Sequence, residues 1–265
     1  MYIAYIRAFS LVELSIVLVI LGLLTGGILT GQSLIRASEL RSVATEHARF
    51  TAAVQTFRDK YFAMPGDMNN ATRFWGRLNA NADCVTNSSA AVAAPGACDG
   101  NGDGSIGIAA AALASEQFQF FRHLALAGLI EGTYSGIAGA ANGNHAIINV
   151  NVPPSKLSNA GWAVFGSGVF SDTEMYLADY GNVLEFGAPV TNSRMFGRAL
   201  RPEEAWNIDT KMDDGRPATG RVIARYWNNA CAAADDGTHA ENDLNASYRL
   251  TDSSLQCSLY FPRAF

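Results

Sequence analysis

Past Arg7 the chain runs apolar to about Ile35, and Glu13 is the only charge before Arg36. About 20 apolar residues at 1.5 Å rise each cross a hydrocarbon core of roughly 30 Å, so the run predicts a membrane-spanning helix. A lone carboxylate in such a span costs on the order of 2.5–3.5 kcal/mol and persists only where something compensates it. Beyond Arg36 the pattern becomes periodic. Leu40, Val43, His47, Phe50, Val54, Phe57 and Tyr61 recur at spacings of three and four, while Arg36, Glu39, Arg41, Glu46, Arg49, Arg58 and Asp59 lie off that stripe. This is one apolar face of helical period. Pro65-Gly66 supplies the stop. The pattern therefore predicts one continuous helix from Phe9 to Met64, roughly 80 Å long. Its outer half serves as a spine for a head, with His47 packed against that head rather than acting as a ligand.

The head reads as short elements. Asp67 is placed to cap a second short helix over 68–78 that carries Phe74 and Trp75. Residues 79–98, rich in Ala, Asn and Ser, read as a loop. Residues 114–130 read as an amphipathic helix with Phe118, Phe121, Leu124, Ala125 and Leu129 on its apolar side, and the Gly/Ala/Asn-rich stretch 132–145 as a surface loop. Strand patterns then follow at 146–152, 162–170, 182–186, 221–226 and 258–261. Short strands after a long helix predict an α+β fold, an antiparallel sheet packed against the helix.

Composition narrows the function classes. Hydrophobic residues are 49% and charged residues 16% of the 265, with a net charge of −5 and no basic block, so nucleic-acid binding is not indicated. His-Glu-x-x-His, a phosphate-binding glycine loop and Gly-x-Ser-x-Gly are all absent from the sequence, which argues against catalysis. Gly22/Gly26 and Gly27/Gly31 are two G-x-x-x-G pairs. Such pairs let helices approach closely in lipid, though glycine is also simply common in membrane helices. The cysteines fall as two local pairs, Cys84/Cys98 and Cys231/Cys257. Three pairings are possible; the local one is favoured, in an oxidising compartment, at about 3 kcal/mol per loop.

Two acidic stretches are candidate cation sites. In Asp99-Gly-Asn101-Gly-Asp103-Gly104-Ser105, oxygen-bearing residues alternate ahead of a glycine turn, as in the first half of a calcium loop. Asp99, Asn101 and Asp103 offer side-chain oxygens and Ser105 its carbonyl. The twelfth position is Ala110, so Glu116 is the nearest closing carboxylate. The alternative is an Asx-rich turn that binds nothing. Around Asp213-Asp214-Gly215, with Asp209 four residues earlier, a tight Asx turn is the simpler reading and a second cation site the rival.

The segment Ala8-Phe9-Ser10-Leu11-Val12-Glu13-Leu14 with the apolar run behind it resembles the cleavage and methylation motif of the type IV pilin and type II secretion pseudopilin superfamily, over roughly residues 6–40. Ala8 stands where that family usually has Gly. The resemblance implies a cationic, cytoplasmic leader (1–8), a transmembrane and assembly helix (9–31), an amphipathic spine (32–64) and a periplasmic or extracellular head (65–265). It further implies cleavage by prepilin peptidase between Ala8 and Phe9, N-methylation of Phe9, and pairing of that amine with Glu13 of a neighbouring subunit. The product would be a non-catalytic filament subunit drawn from the inner membrane by assembly machinery, with Cys231 and Cys257 as a C-terminal disulfide loop. A pilus subunit, a secretion pseudopilin and a minor or tip pilin all fit. Outside the family, the alternatives are an uncleaved signal anchor carrying a periplasmic binding protein or enzyme that never polymerises.

Overall fold

The computed structural model describes residues 10–78, 96–108, 116–141, 143–172, 174–225, 229–233 and 243–265. Helix α1, Leu11–Tyr61, begins at a reciprocal cap. Ser10 Oγ accepts the Val12 and Glu13 amides, and Glu13 returns the bond by accepting the Ser10 amide at 2.8 Å. Three of the amides left bare at a helix start are thereby satisfied. The helix then has two environments. No residue of its most apolar 18-residue window is buried. Farther on, Val43, Glu46, Phe50, Ala53, Val54 and Phe57 are buried against the head. The change comes where the apolar run gives way to the periodic stripe. Phe62 closes the helix in the left-handed region, with φ 53°. At Gly66 (φ 85°) an added Cβ would lie 2.5 Å from the Glu116 carbonyl, so only glycine lets this turn press against the helix that begins at Glu116.

Helix α2 is a single turn, Thr72–Trp75, and α3 spans Glu116–Leu126. Four antiparallel strands build the main sheet in the order β1-β4-β8-β5: β1 (Gly161–Gly166), β4 (Asn182–Gly187), β8 (Leu259–Phe261) and β5 (Ile223–Ala224). Trp162 faces Phe186 in register, and Leu184 faces Phe261. Successive side chains of a strand point to opposite faces. Trp162, Phe186 and Phe261 accordingly meet the spine, where Phe50 lies 5.6 Å from Trp162 and His47 4.5 Å from Phe261. Phe165, Val183 and Tyr260 enter a second cluster on the far face, with Met175, Tyr176 and Tyr180. Both faces are covered, so β1 reads as a continuous apolar run, and β4 does so apart from Asn182 and Glu185, whose buried carboxylate pairs with Arg194. A hairpin of β2 (Val169–Asp172) and β3 (Met175–Asp179) stands beside the sheet. Helix α4 (Pro202–Met212) packs on α1, and a small ribbon pairs β6 (Ala232–Ala233) with β7 (Ser247–Tyr248).

The expected α+β layout, a long apolar helix and a globular part with an antiparallel sheet, is present. Several local expectations are corrected. The strand read over 162–170 breaks at Gly166-Ser167-Gly168, where Gly168 takes φ 58° and the chain leaves the sheet for its own hairpin. Residues 146–152 form no strand; Val150, Asn151 and Val152 donate to the Ile147 carbonyl around a left-handed Asn149. The helix expected over 68–78 shrinks to α2, and its cap is the distant Asp99. Helix α3 is not amphipathic in place. Every residue from 117 to 124 is buried, because loops cover its polar side and bond to it. Strands β3, β6 and β7 and helix α4 add to the expected elements; for α4, Pro202-Glu203-Glu204 is a helix-start signal.

Candidate functional site

Three places carry the groups on which function would rest. The first is the start of α1. Ala8 and Phe9, and with them the expected cleavage point, lie outside the described residues. Glu13 is exposed, and in the single chain its carboxylate already holds the Ser10 amide. The compensation sought for this lone acid is therefore partly local. The Ser10-x-x-Glu13 spacing is the signal of such a box in the sequence itself. Cβ atoms built on Gly22, Gly26, Gly27 and Gly31 meet nothing within 4 Å, so the chain's own packing requires none of these glycines.

The second place is the 99–105 turn. Its amides point inward to a carboxylate: Asp67 accepts from Gly102 at 2.6 Å, Asp103 at 3.1 Å and Gly104 at 2.9 Å. Glu116 reaches back as expected, but it accepts the Asn101 and Gly107 amides at 2.9 and 2.6 Å. Asp99 is turned away and caps α2, taking the Thr72 amide and hydroxyl at 2.8 and 2.9 Å. Asn101 and Asp103 bond to each other at the exposed rim, and the Ser105 amide donates to Asp103. Of the expected ligand set, the turn thus gathers Asn101, Asp103, Ser105 and Glu116 and spends Asp99 elsewhere. Burial raises the pKa of both Asp67 and Glu116; amide bonds oppose the shift, and the Asp103 charge adds to it in each. Asp67, expected as a helix cap, is the centre of this turn.

The third place is the end of α4. Among the described residues, Asp209, Asp213 and Asp214 are the acidic group whose oxygens converge within 4.8 Å, which makes them the residues best placed to hold a metal ion. Asp209 is fully buried and accepts the Tyr248 hydroxyl at 2.8 Å and the Gly215 amide at 3.1 Å. Asp213 accepts the Arg221 amide, and Asp214 accepts the Arg216 amide and the Thr219 hydroxyl in the expected Asx turn. Burial pushes the Asp209 pKa up to about 7. The charges of Asp214 and Asp213 add to this, and the bonds from Tyr248 and Gly215 oppose it. A hard cation would replace carboxylate repulsion with attraction here, but the oxygens in view do not single out calcium.

Spine and head are joined by polar anchors that periodicity does not reveal. Glu46, read as solvent-facing, is 6% exposed and accepts Ser155 Oγ at 2.7 Å, the Lys156 amide at 2.9 Å and Trp162 Nε1 at 2.8 Å. Arg36 donates to both oxygens of Glu204 on α4 at 2.6 and 2.7 Å, a two-bond pairing of matched geometry. His123, fully buried on α3, accepts the Gly66 amide at Nδ1 and faces the Cys98 carbonyl with Nε2 at 3.1 Å. Burial lowers its pKa to about 3, and burial likewise takes His47 to about 4. Cys231 and Cys257 form the expected disulfide. Cys98 is not a free thiol, and its expected partner Cys84 lies outside the described residues.

No family model, no curated protein and no solved structure matches the chain.

Proposed function

We propose that the chain is a non-catalytic structural subunit of a filament of the type IV pilin or pseudopilin class. It waits in the inner membrane with its head in the periplasm, loses residues 1–8, and is assembled through α1 with the help of prepilin peptidase and membrane assembly machinery. One observation carries the reading. A single helix has a wholly exposed apolar half and another half fastened to a folded head. An apolar rod of that length is untenable in water and has to be covered by lipid or by copies of itself. The four glycines that this chain's own packing does not need suit close approach between helices in a bundle. The acidic groups at 99–116 and 209–214 give the head candidate calcium sites.

A second reading, an anchored protein that never polymerises, draws on the Ser10–Glu13 cap, since that bond gives Glu13 a purpose within one chain. Glu13→Gln separates the two. Gln still closes the capping box but carries no charge. Loss of filament incorporation with membrane insertion intact fits charge pairing between subunits. Unchanged behaviour fits the cap alone. Mass spectrometry of the mature amino terminus, expected to begin at N-methylated Phe9, tests the processing step independently.

A further inference from the structure

The pattern Asn-x-Ser/Thr occurs at Asn70-Ala71-Thr72, Asn87-Ser88-Ser89 and Asn245-Ala246-Ser247. On a reachable surface of an exported protein, this pattern is the acceptor for a sugar on the Asn side-chain amide. Asn87 lies outside the described residues. The other two stand in opposite settings. Ala71 is fully buried with helical backbone angles, and Thr72 opens α2. Residues two apart on a helix point to nearly opposite sides. The Thr72 hydroxyl is also already given to Asp99, at 2.9 Å. Asn70 and its hydroxyl partner are therefore not open to capture from one side.

Around Asn245 the exposure alternates instead. Asn245 and Ser247 are exposed, while Ala246 and Tyr248 are buried. The Asn amide and the Ser hydroxyl thus share the outer face, as alternate residues of a strand do. The main chain is held at both ends: Asp243 accepts the Asn245 backbone amide at 3.0 Å, and Ser247 pairs with Ala233 in the small ribbon. Among the described residues, no hydrogen bond occupies the Asn245 side-chain amide or the Ser247 hydroxyl. We propose that Asn245 is an N-linked glycan acceptor, taking an oligosaccharide from a polyprenyl pyrophosphate donor outside the inner membrane, and that Asn70 is not. In the transfer, the Asn245 amide nitrogen bonds to the anomeric carbon of the sugar. The carbon–oxygen bond to the pyrophosphate breaks and its electron pair leaves with the lipid pyrophosphate. The amide gives one proton to a base of the transferase, and nothing is oxidised or reduced. The attached glycan stands beside Leu244, which is 51% exposed, and makes that part of the head polar. The inference rests on the reading of an exported head.

The full chain is taken from the envelope of its own cells and digested with trypsin, which puts the three patterns on separate peptides, 61–73, 78–122 and 226–249. Tandem mass spectrometry should find sugar on 226–249 and none on 61–73. Asn245→Gln and Ser247→Ala should each remove the sugar from 226–249, and Ser247→Thr should keep it. An unmodified wild-type 226–249 peptide, sugar on Asn70, or sugar retained on that peptide in Asn245→Gln, which marks an O-linked glycan, would each overturn the inference. The same digest without reduction reports the compartment and the fold of every variant, because the Cys231–Cys257 bond ties 226–249 to 250–263. Tied peptides without sugar defeat the glycan alone, whereas untied peptides defeat the exported-head reading itself.

Discussion

Replacing Glu46 with Ala tests how the spine is held to the head. The carboxylate is nearly inaccessible and serves three donors. The Trp162 indole N–H belongs to a fully buried side chain and would have no water to turn to. Leaving a buried donor unpaired costs about 1–3 kcal/mol, and bonds to a charged acceptor lie in the upper part of that range. Lys156 is exposed and Ser155 partly so, and both recover part of their loss from solvent. The expected total is about 3–4 kcal/mol, or a fall in Tm of roughly 10 °C for a head of this size. Glu46→Gln should cost less, because its carbonyl oxygen can still accept one of the three bonds. The assay is thermal unfolding of the full chain in detergent, followed by near-ultraviolet circular dichroism. A double-mutant cycle with Trp162→Phe should return a coupling above about 1 kcal/mol. An Ala variant within 1 kcal/mol of the wild type, or zero coupling to Trp162, would refute the reasoning.

Further predictions concern protons, cations and the disulfide. The folded-state pKa of His123, about 3, lies below its ordinary 6.5, so the folded state takes up its proton last. Its contribution is complete above pH 6.5 and fades as pH falls toward 3, by up to roughly 5 kcal/mol, and titration of stability should show a flatter acid limb in His123→Gln. Asp209 has the opposite sign. With its pKa raised to about 7, it lets stability decline as pH rises from about 4 to about 7, and Asp209→Asn should remove that decline. If a cation sits among Asp209, Asp213 and Asp214, calcium should raise Tm above pH 7 and chelator should reverse it. Asp213→Ala then abolishes the heat of binding in calorimetry, whereas abolition by Asp103→Ala instead would place the ion in the 99–105 turn. Reducing the Cys231–Cys257 bridge, which joins residues 26 apart, should cost about 3.5 kcal/mol by loop entropy, measured as the Cys257→Ser shift in urea midpoint.

What could be read from residues alone was whatever depends on near neighbours in the chain. The apolar run and the spacing from Leu40 to Tyr61 were enough for α1, because helical period is a local property and burial of one stripe follows from it. The Ser10–Glu13 box was equally local and equally legible, as was the Pro202-Glu203-Glu204 start of α4. The polar residues resisted such reading. Glu46 lies off the stripe and looks solvent-facing, yet Trp162, 116 residues away, arrives to take its oxygen. Asp67 looks like a helix cap until the 102–104 amides close over it, and Asp99 looks like a cation ligand until α2 claims it. Whether a carboxylate faces water, an amide or an ion depends on which distant segment packs beside it. Only the folded chain, where burial makes each unpaired donor costly, settles that choice.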